Sequence, residues 1–362
     1  MTSDLLKNLE SEDEADRICA VEDLAATGDV SVVAPLIERL KIDSSRAVQE
    51  SIFLALEQME VPDICERMVG LFESDKTYLC NQASNVLRKN PEQALPCLEE
   101  TMNHRSPDVR KFALDTLAGF NSPIASHIYA KALDDSDMNV IITAVEQTGL
   151  HRLADLKQSV EKHFSETDVS MLQSACLEAL SQIGDADSWH LICQKYPTIE
   201  SIPGYLIGIW LMALGSLCPA DDRNYFEAFL ADAALMELYA PEFIHAFEQH
   251  TEQKTTPADP AAAASPMPPS LGTGLLQLAQ KNKLEPVYQA KLCGLLAAQF
   301  TENETIQTWL DGALPQFPTL VRHGILSAWL EKPGCARSML EKHLANETDP
   351  EIRELIEKRF SR

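Results

Sequence analysis

A twelve-residue pattern recurs along this chain at steps of 30 or 31 residues. Each copy has an acidic or polar turn, an apolar anchor, a small or apolar residue four positions later and another apolar residue four beyond that. The clearest copy runs from Ser106 to Leu117. Such a period is typical of helical repeat arrays, so the sequence predicts an all-α α-solenoid. The anchors are Val48, Leu79, Val109, Val140 and Met171, followed four positions later by Ile52, Ala83, Ala113, Ala144 and Ala175.

The turn before each anchor and the small residue after it indicate that every repeat is a pair of antiparallel helices. In the copy at 91–122, Pro91 opens a first helix. Asp108 opens the second, where a carboxylate stabilises the positive end of the helix dipole. Helices whose axes lie about 8–10 Å apart leave little room for a side chain, which favours alanine after the anchor. Because each repeat packs only on its neighbours, the repeats should stack into an extended array. We expect about ten to eleven such pairs, arranged in a right-handed superhelix.

Charge and composition divide the chain into three segments. Residues 1–253 contain 18 Lys and Arg against 43 Asp and Glu, which accounts for the whole formal charge of −25. The segment 254–270 holds five prolines and five alanines without apolar periodicity, a composition typical of a flexible linker. We therefore predict an acidic N-terminal array at 1–253, a Pro/Ala-rich linker or long loop at 254–270, and charge-neutral helical repeats at 271–362.

The acidic charge and the cysteines restrict the partners and the compartment. An acidic surface repels a phosphate backbone, so we expect no nucleic-acid partner, and a basic protein surface or segment is the natural complement. Solubility alone is the alternative explanation of the charge. The nine cysteines are scattered and include no CxxC pair, which indicates reduced thiols, and no apolar run is long enough to span a membrane. These features predict a cytoplasmic protein without a membrane span.

The copy from Asp108 to Leu117 resembles a HEAT repeat, and in particular the short bacterial HEAT-like type first described in phycobilisome lyases. The pattern of that type is roughly Asp-x-Val-Arg-x-x-Ala-x-x-x-Leu, and Asp349, Ile352 and Arg353 keep its spacing. In this family the arginine commonly pairs with an acidic residue of the next repeat. The resemblance implies that apolar packing replaces these pairs in the copies that lack the arginine. The residues at that position are Gln49, Cys80, Ile141 and Leu172.

Several enzymes resemble HEAT arrays, but the sequence lacks their chemical signatures. Di-iron hydroxylases of this fold use His-Glu dipeptides, and none of the nine histidines is followed by Glu. DNA glycosylases of this fold need a basic surface. The acidic turn at 134–137 fails the calcium-loop pattern, because Asn139 and Val145 occupy the required Gly and Glu positions. We predict no catalytic residue, no metal site and no cofactor, while lyase-type activity stays open because its sequence signals are weak.

The second helices provide the candidate binding surface. In arrays of this type they line the concave side, and polar positions beside the apolar stripe project into the groove. Amides and carboxylates there suit a basic helix or an extended peptide. The aromatic-rich region 187–253 is a second candidate surface, or alternatively the core of irregular repeats. The predicted partner-binding residues are Gln49, Glu50, Glu57, Asn81, Gln82, Asn85, Arg88, Lys111, Asp115, Gln147, Gln173 and Glu178.

Three functions are compatible with these features. The first is a non-catalytic scaffold or adaptor that binds a partner protein on its acidic repeat surface. The second is a lyase-like or other cofactor-handling HEAT-repeat protein. The third is a regulatory module of a bacterial signalling or assembly complex, in which the linker lets the neutral C-terminal repeats move. The missing catalytic set favours the first, although repeat architecture alone does not determine function.

Overall fold

The protein is built from pairs of antiparallel α-helices. Within the described ranges it contains 22 α-helices, several short 3₁₀ helices and no strand, which confirms an all-α solenoid fold of eleven helix pairs. We number the helices so that odd numbers are the first helices of the pairs and even numbers the second helices. The computed structural model describes residues 2–59, 62–120, 125–219, 222–253, 267–281, 283–331, 337–347 and 349–360.

The chain divides into two compact units, an N-terminal unit at Met1–Ala179 and a C-terminal unit at Leu180–Arg362. In the N-terminal unit the first five second helices each pack on their own first helix, and successive second helices pack side by side. The helices that begin in this unit are α1 (Thr2–Asn8), α2 (Glu14–Ala26), α3 (Val33–Ile42), α4 (Arg46–Gln58), α5 (Pro62–Val69), α6 (Thr77–Lys89), α7 (Pro91–Thr101), α8 (Pro107–Leu117), α9 (Ser126–Leu133), α10 (Met138–Leu150), α11 (Lys157–Glu166) and α12 (Ser170–Ile183).

The C-terminal unit repeats this packing with less regular helices. One second helix is kinked at Tyr239, where Pro241 follows; proline lacks the N–H that continues the helix and its ring clashes with an earlier carbonyl. The helices are α13 (Ala186–Lys195), α14 (Ile207–Leu217), α15 (Asn224–Ala231), α16 (Ala233–Gln253), α17 (Pro269–Gln280), α18 (Pro286–Gln299), α19 (Glu304–Ala313), α20 (Thr319–Glu331), α21 (Arg337–Asn346) and α22 (Pro350–Phe360).

The anchors of the sequence pattern form the core, with one correction. Val48, Leu79, Val109 and Val140 are buried, whereas Met171 is 64% exposed. The buried residue at that position is its neighbour, Leu172, at 2% exposure. The reason is that α12 begins at Ser170, 32 residues after the start of α10, whereas α4, α6, α8 and α10 begin 30 or 31 residues apart. The fifth anchor is therefore Leu172, and every later position in that repeat shifts by one.

The aromatic-rich region 187–253 is mostly core. Trp189, Trp210, Phe226, Phe229 and Phe243 are fully buried. The Trp210 ring centroid lies 5.8 Å from that of Trp189 and 6.4 Å from that of Phe229. These large side chains occupy the spaces between the less regular helices of the C-terminal unit. The alternative that this region is chiefly a contact surface is therefore set aside.

The linker prediction stays untested for most of its length. Residues 254–266 lie outside the described residues, and Pro269 is already the first residue of α17. The predicted segment boundary at 253 also differs from the division at residue 179, because the prediction followed charge while the two units are defined by packing. The acidic and charge-neutral segments remain descriptions of composition.

Close helix packing in the C-terminal unit depends on small residues, which gives a first prediction. A Cβ atom at Gly324 would lie 2.8 Å from the carbonyl oxygen of Ala290 on the neighbouring second helix. Gly324→Ala is expected to lower the free energy of unfolding by about 1–3 kcal/mol, because backbone must move to admit the methyl group. The matched control is Gly312→Ala, where nothing lies within 4 Å of the added atom. This control should gain about 0.5–1 kcal/mol, since alanine favours the helix. Urea unfolding followed by tryptophan fluorescence checks both, and equal effects would contradict the packing argument.

Candidate functional site

The fourth residue of several second helices points back at the turn that precedes the helix. Gln49 Nε2 donates to the carbonyl oxygens of Leu40 and Asp43 at 3.2 and 3.0 Å, and Gln173 Nε2 donates to that of Thr167 at 2.9 Å. Both glutamines are buried. Because a buried carbonyl without a partner is costly, these amides stabilise the turns. The predicted partner-binding residues Gln49 and Gln173 therefore lie inside the array and not on its binding surface.

Arginine at the same helix position also joins neighbouring repeats. Arg17 Nε lies 3.0 Å from Asp43 Oδ2, and Arg110 Nη2 lies 2.6 Å from Asp135 Oδ1. In each pair the carboxylate belongs to the turn of the next repeat. These two ion pairs, at Arg17 and Arg110, are of the kind that the HEAT resemblance implies. Among the described residues, Gln49 and Cys80 at this position bond within their own repeat.

Asp43 is the most enclosed carboxylate of these pairs. Its side chain has no exposed surface, and Arg39 Nε donates to it at 2.6 Å in addition to Arg17. Burial by itself would raise the pKa of Asp43. The backbone amide of Ser45 and the guanidinium groups of Arg39 and Arg17 outweigh burial and hold the pKa below its usual value. Asp43 is consequently ionised and fixes two helices to one turn.

A row of carboxylates occupies the exposed face of the second helices. The ninth residues of α8, α10 and α12 are Asp115, Glu146 and Glu178, each six residues after a buried anchor. Asp115 is half-buried, and the two glutamates are exposed. Leu54 and Asn85 hold the equivalent positions of α4 and α6. We call these five residues the second-helix row.

The central carboxylate of the three, Glu146, is repelled by the other two. Partial desolvation by the neighbouring helices raises the pKa of Glu146, although its side chain reaches solvent, and the negative charges of Glu178 and Asp115 raise it further. Lys111 opposes this effect, but its Nζ is engaged by Asp115 Oδ2 at 2.8 Å. An external cation that approaches Glu146 would offset this repulsion. The row is therefore a surface on which a positively charged group is stabilised.

The other predicted residues lie beside the row in different settings. Glu57 accepts a hydrogen bond from Lys89, and Arg88 Nη2 donates to the carbonyl oxygen of Asp115 at 2.7 Å. These contacts join successive second helices, so both side chains have a structural role. The remaining predicted residues range from half-buried to exposed, and their part in binding stays a prediction. They are Glu50, Asn81, Gln82, Asn85 and Gln147.

Glu146 belongs to the row but was absent from the predicted set. The predicted residue was instead the adjacent Gln147, which lies one position beyond the exposed face. The signal was available, because Asn85 and Asp115 both lie six residues after their anchors, and the same offset from Val140 reaches Glu146. Applying one offset to every copy would have selected Glu146.

The described residues show few reactive groups. Burial raises the pKa of Cys65, Cys80, Cys97 and Cys193, and raises that of Cys293 to about 12, so these thiols stay protonated at neutral pH. Over the described ranges, no three His, Cys, Asp or Glu side chains are grouped to hold a metal ion. Nor does that part of the chain contain a helix long and apolar enough to cross a membrane.

Comparison with known proteins assigns no family to this chain. No known family matches the sequence, and no curated protein does. Among solved structures, the chain is similar to one from a homology model of the full-length AP-3 complex in an intermediate open conformation. The identity is 12%, the match covers 99% of this chain and 90% of the other, and the TM-score is 0.37. A similarity of this degree does not bear on activity or partners.

Proposed function

We propose that this chain is a non-catalytic scaffold that binds a partner protein, through a basic surface or segment, on the second-helix row. The observation that carries the proposal is the alignment of Asp115, Glu146 and Glu178 at the same position of three neighbouring second helices, where the charges of Asp115 and Glu178 both raise the pKa of Glu146. Three neighbouring second helices place these carboxylates on one face, although this arrangement raises the pKa of Glu146. A local conflict of this kind is typical of a functional surface.

The charge of the whole chain supports the same partner class. The formal charge is −25, so the long-range field attracts basic proteins and repels nucleic acids. The field accelerates association, and the row determines where the partner is bound. Screening at high salt should weaken a contact of this type, because the Debye length falls to about 3 Å at 1 M salt.

The second prediction tests the row directly. The double variant Glu146→Gln with Glu178→Gln is expected to bind a fluorescein-labelled nona-lysine peptide about tenfold more weakly than the wild type, because two carboxylates are lost from one face. Fluorescence anisotropy at low and high salt measures this affinity. An absorbing small molecule that copurifies with the chain would instead favour the lyase-like alternative.

The matched control has the same change of charge on first helices. Glu92 on α7 and Glu166 on α11 are exposed, and their double glutamine variant should change the affinity less than twofold. Equal losses in the two variants would show that only net charge matters, and the row would be abandoned as the site. Glu146→Gln should also keep or raise the melting temperature, since it removes repulsion from a carboxyl whose pKa is raised. A lowered melting temperature would indicate that Glu146 has a structural role instead.

A further inference from the structure

A cavity of about 690 Å³ opens beside Asp115, the first of the three carboxylates in the second-helix row. It lies between the segment Phe72–Asp75, which follows α5, and the outer face of α8. Asp115 lines this cavity and is also a member of the row, so the two features are continuous. The volume lies within the range of about 300–1,000 Å³ that is usual for ligand sites.

The walls of the cavity combine an aromatic ring with carboxylates. Phe112 is only half-buried, and its ring stacks on that of buried Phe72 with centroids 5.7 Å apart and an interplanar angle of 25°. Asp75 and Asp108 are exposed at the wall, and neither forms an ion pair with another described residue. The Lys111–Asp115 pair closes one side. The cavity therefore offers an apolar ring and two carboxylates without a cationic partner.

We infer that this cavity binds an arginine side chain of the partner protein. A guanidinium group is planar, stacks on aromatic rings and pairs with carboxylates through two parallel hydrogen bonds. Phe112 supplies the ring, and Asp108 and Asp75 supply the carboxylates. A lysine ammonium would meet the charge but not the planar, bidentate geometry. Arg105 also lines the cavity, but its single positive charge is outnumbered by the carboxylates, so the cavity stays negatively charged.

The spacing of the helices indicates how the partner runs from the cavity along the row. Neighbouring second helices lie about 8–10 Å apart in packings of this type. An extended polyproline II segment advances about 9 Å in three residues. Arginine at every third position would therefore place successive guanidinium groups at the cavity, at Glu146 and at Glu178. This inference rests on the proposed function and adds the residue type and conformation of the partner.

The experiment uses the full chain and three fluorescein-labelled peptides measured by anisotropy. Each peptide carries arginine, lysine or citrulline at every third position, with proline and glycine between. Wild type should bind the arginine peptide about fivefold more tightly than the lysine peptide, and citrulline should abolish binding. Phe112→Leu and, separately, Asp108→Asn should each remove the preference for arginine over lysine. Asp108 is exposed, so that variant stays informative if Phe112→Leu fails to fold.

The outcomes separate this inference from the proposed function. If arginine and lysine peptides bind wild type equally, or if both cavity variants keep the preference, the cavity is not an arginine site. The proposed function then still stands, provided that the Glu146 and Glu178 double variant weakens binding of the lysine peptide. If citrulline binds as well as arginine, or if no peptide binds, both the inference and the proposed function are overturned.

Discussion

Replacing Asp43 by alanine is expected to lower the free energy of unfolding of the N-terminal unit by about 3–5 kcal/mol. The carboxylate is fully buried and is bonded to Arg17 and Arg39 as well as to the amide of Ser45. Removing it leaves the buried guanidinium of Arg17 without its carboxylate partner. The helices α2 and α3 also lose the contact that fixes both of them to the same turn. The loss is therefore larger than that of an exposed ion pair, which contributes about 0–1 kcal/mol.

The positions of the tryptophans make this effect easy to localise. All four tryptophans, at 189, 210, 309 and 329, lie in the C-terminal unit, so their fluorescence reports on that unit alone. Far-UV circular dichroism reports on both units. In urea, Asp43→Ala should shift part of the dichroism transition to lower denaturant and leave the fluorescence transition nearly unchanged. The control Asp134→Ala, at an exposed turn residue, should change stability by less than about 0.5 kcal/mol. Similar losses in the two variants would contradict the role given to Asp43.

The same residue gives the N-terminal unit a defined acid sensitivity. The pKa of Asp43 is lower in the folded protein than in the unfolded chain, so the unfolded state binds more protons. The stabilisation is complete above the unfolded value of about 3.9 and is lost as pH falls through the lower, folded value. Wild type should accordingly lose stability below about pH 4. Asp43→Ala should show a flatter profile there, and a profile parallel to wild type would exclude Asp43 as the cause.

Trp210→Ala is expected to lower the free energy of unfolding of the C-terminal unit by about 3–5 kcal/mol. The side chain has no exposed surface, and its ring lies 5.8 Å from Trp189 and from Tyr225 between centroids. Its removal creates a large cavity that the surrounding rings fill only in part. Dichroism in urea measures the loss without depending on the deleted fluorophore.

Two further variants identify the source of that loss. The indole N–H of Trp210 finds no acceptor among the described residues, so Trp210→Phe removes an unsatisfied donor while keeping a ring. This variant should lose less than half as much stability as the alanine variant. Leu238 is 71% exposed, and Leu238→Ala should cost less than about 0.5 kcal/mol. If Trp210→Phe is as damaging as Trp210→Ala, packing volume does not explain the effect.

The repeat architecture could be predicted because it depends on the spacing of apolar and small residues within each second helix. An apolar anchor with a small residue four positions later is favoured where two helices cross closely. Val109 and Ala113, which are both buried, are an example. The predicted fold class and the number of helix pairs are confirmed for this reason. The same spacing predicts nothing about chemistry, since it describes only the packed side of each helix.

The details that sequence reading missed depend on single-residue register and on three-dimensional neighbours. One extra residue before α12 moves the anchor from Met171 to Leu172, a shift that a fixed period hides. Gln49 and Gln173 read as surface amides, but their helix position directs them into the turns. The cavity beside Phe112 arises because two turns and one helix meet, and no motif in the sequence marks that meeting.

The unequal distribution of the buried ion pairs has a mechanical consequence. Arg17–Asp43 joins the first repeat to the second and Arg110–Asp135 joins the fourth to the fifth, whereas Gln49 bonds only within its own repeat. The second and third repeats are joined instead by the Lys89–Glu57 pair, whose lysine is 58% exposed, and an exposed pair contributes about 0–1 kcal/mol. If the N-terminal unit were pulled along its axis, this junction would open before the two that have buried ion pairs. The array would then lengthen in discrete steps. A bound partner that contacts the repeats on both sides of the weaker junction would resist this extension.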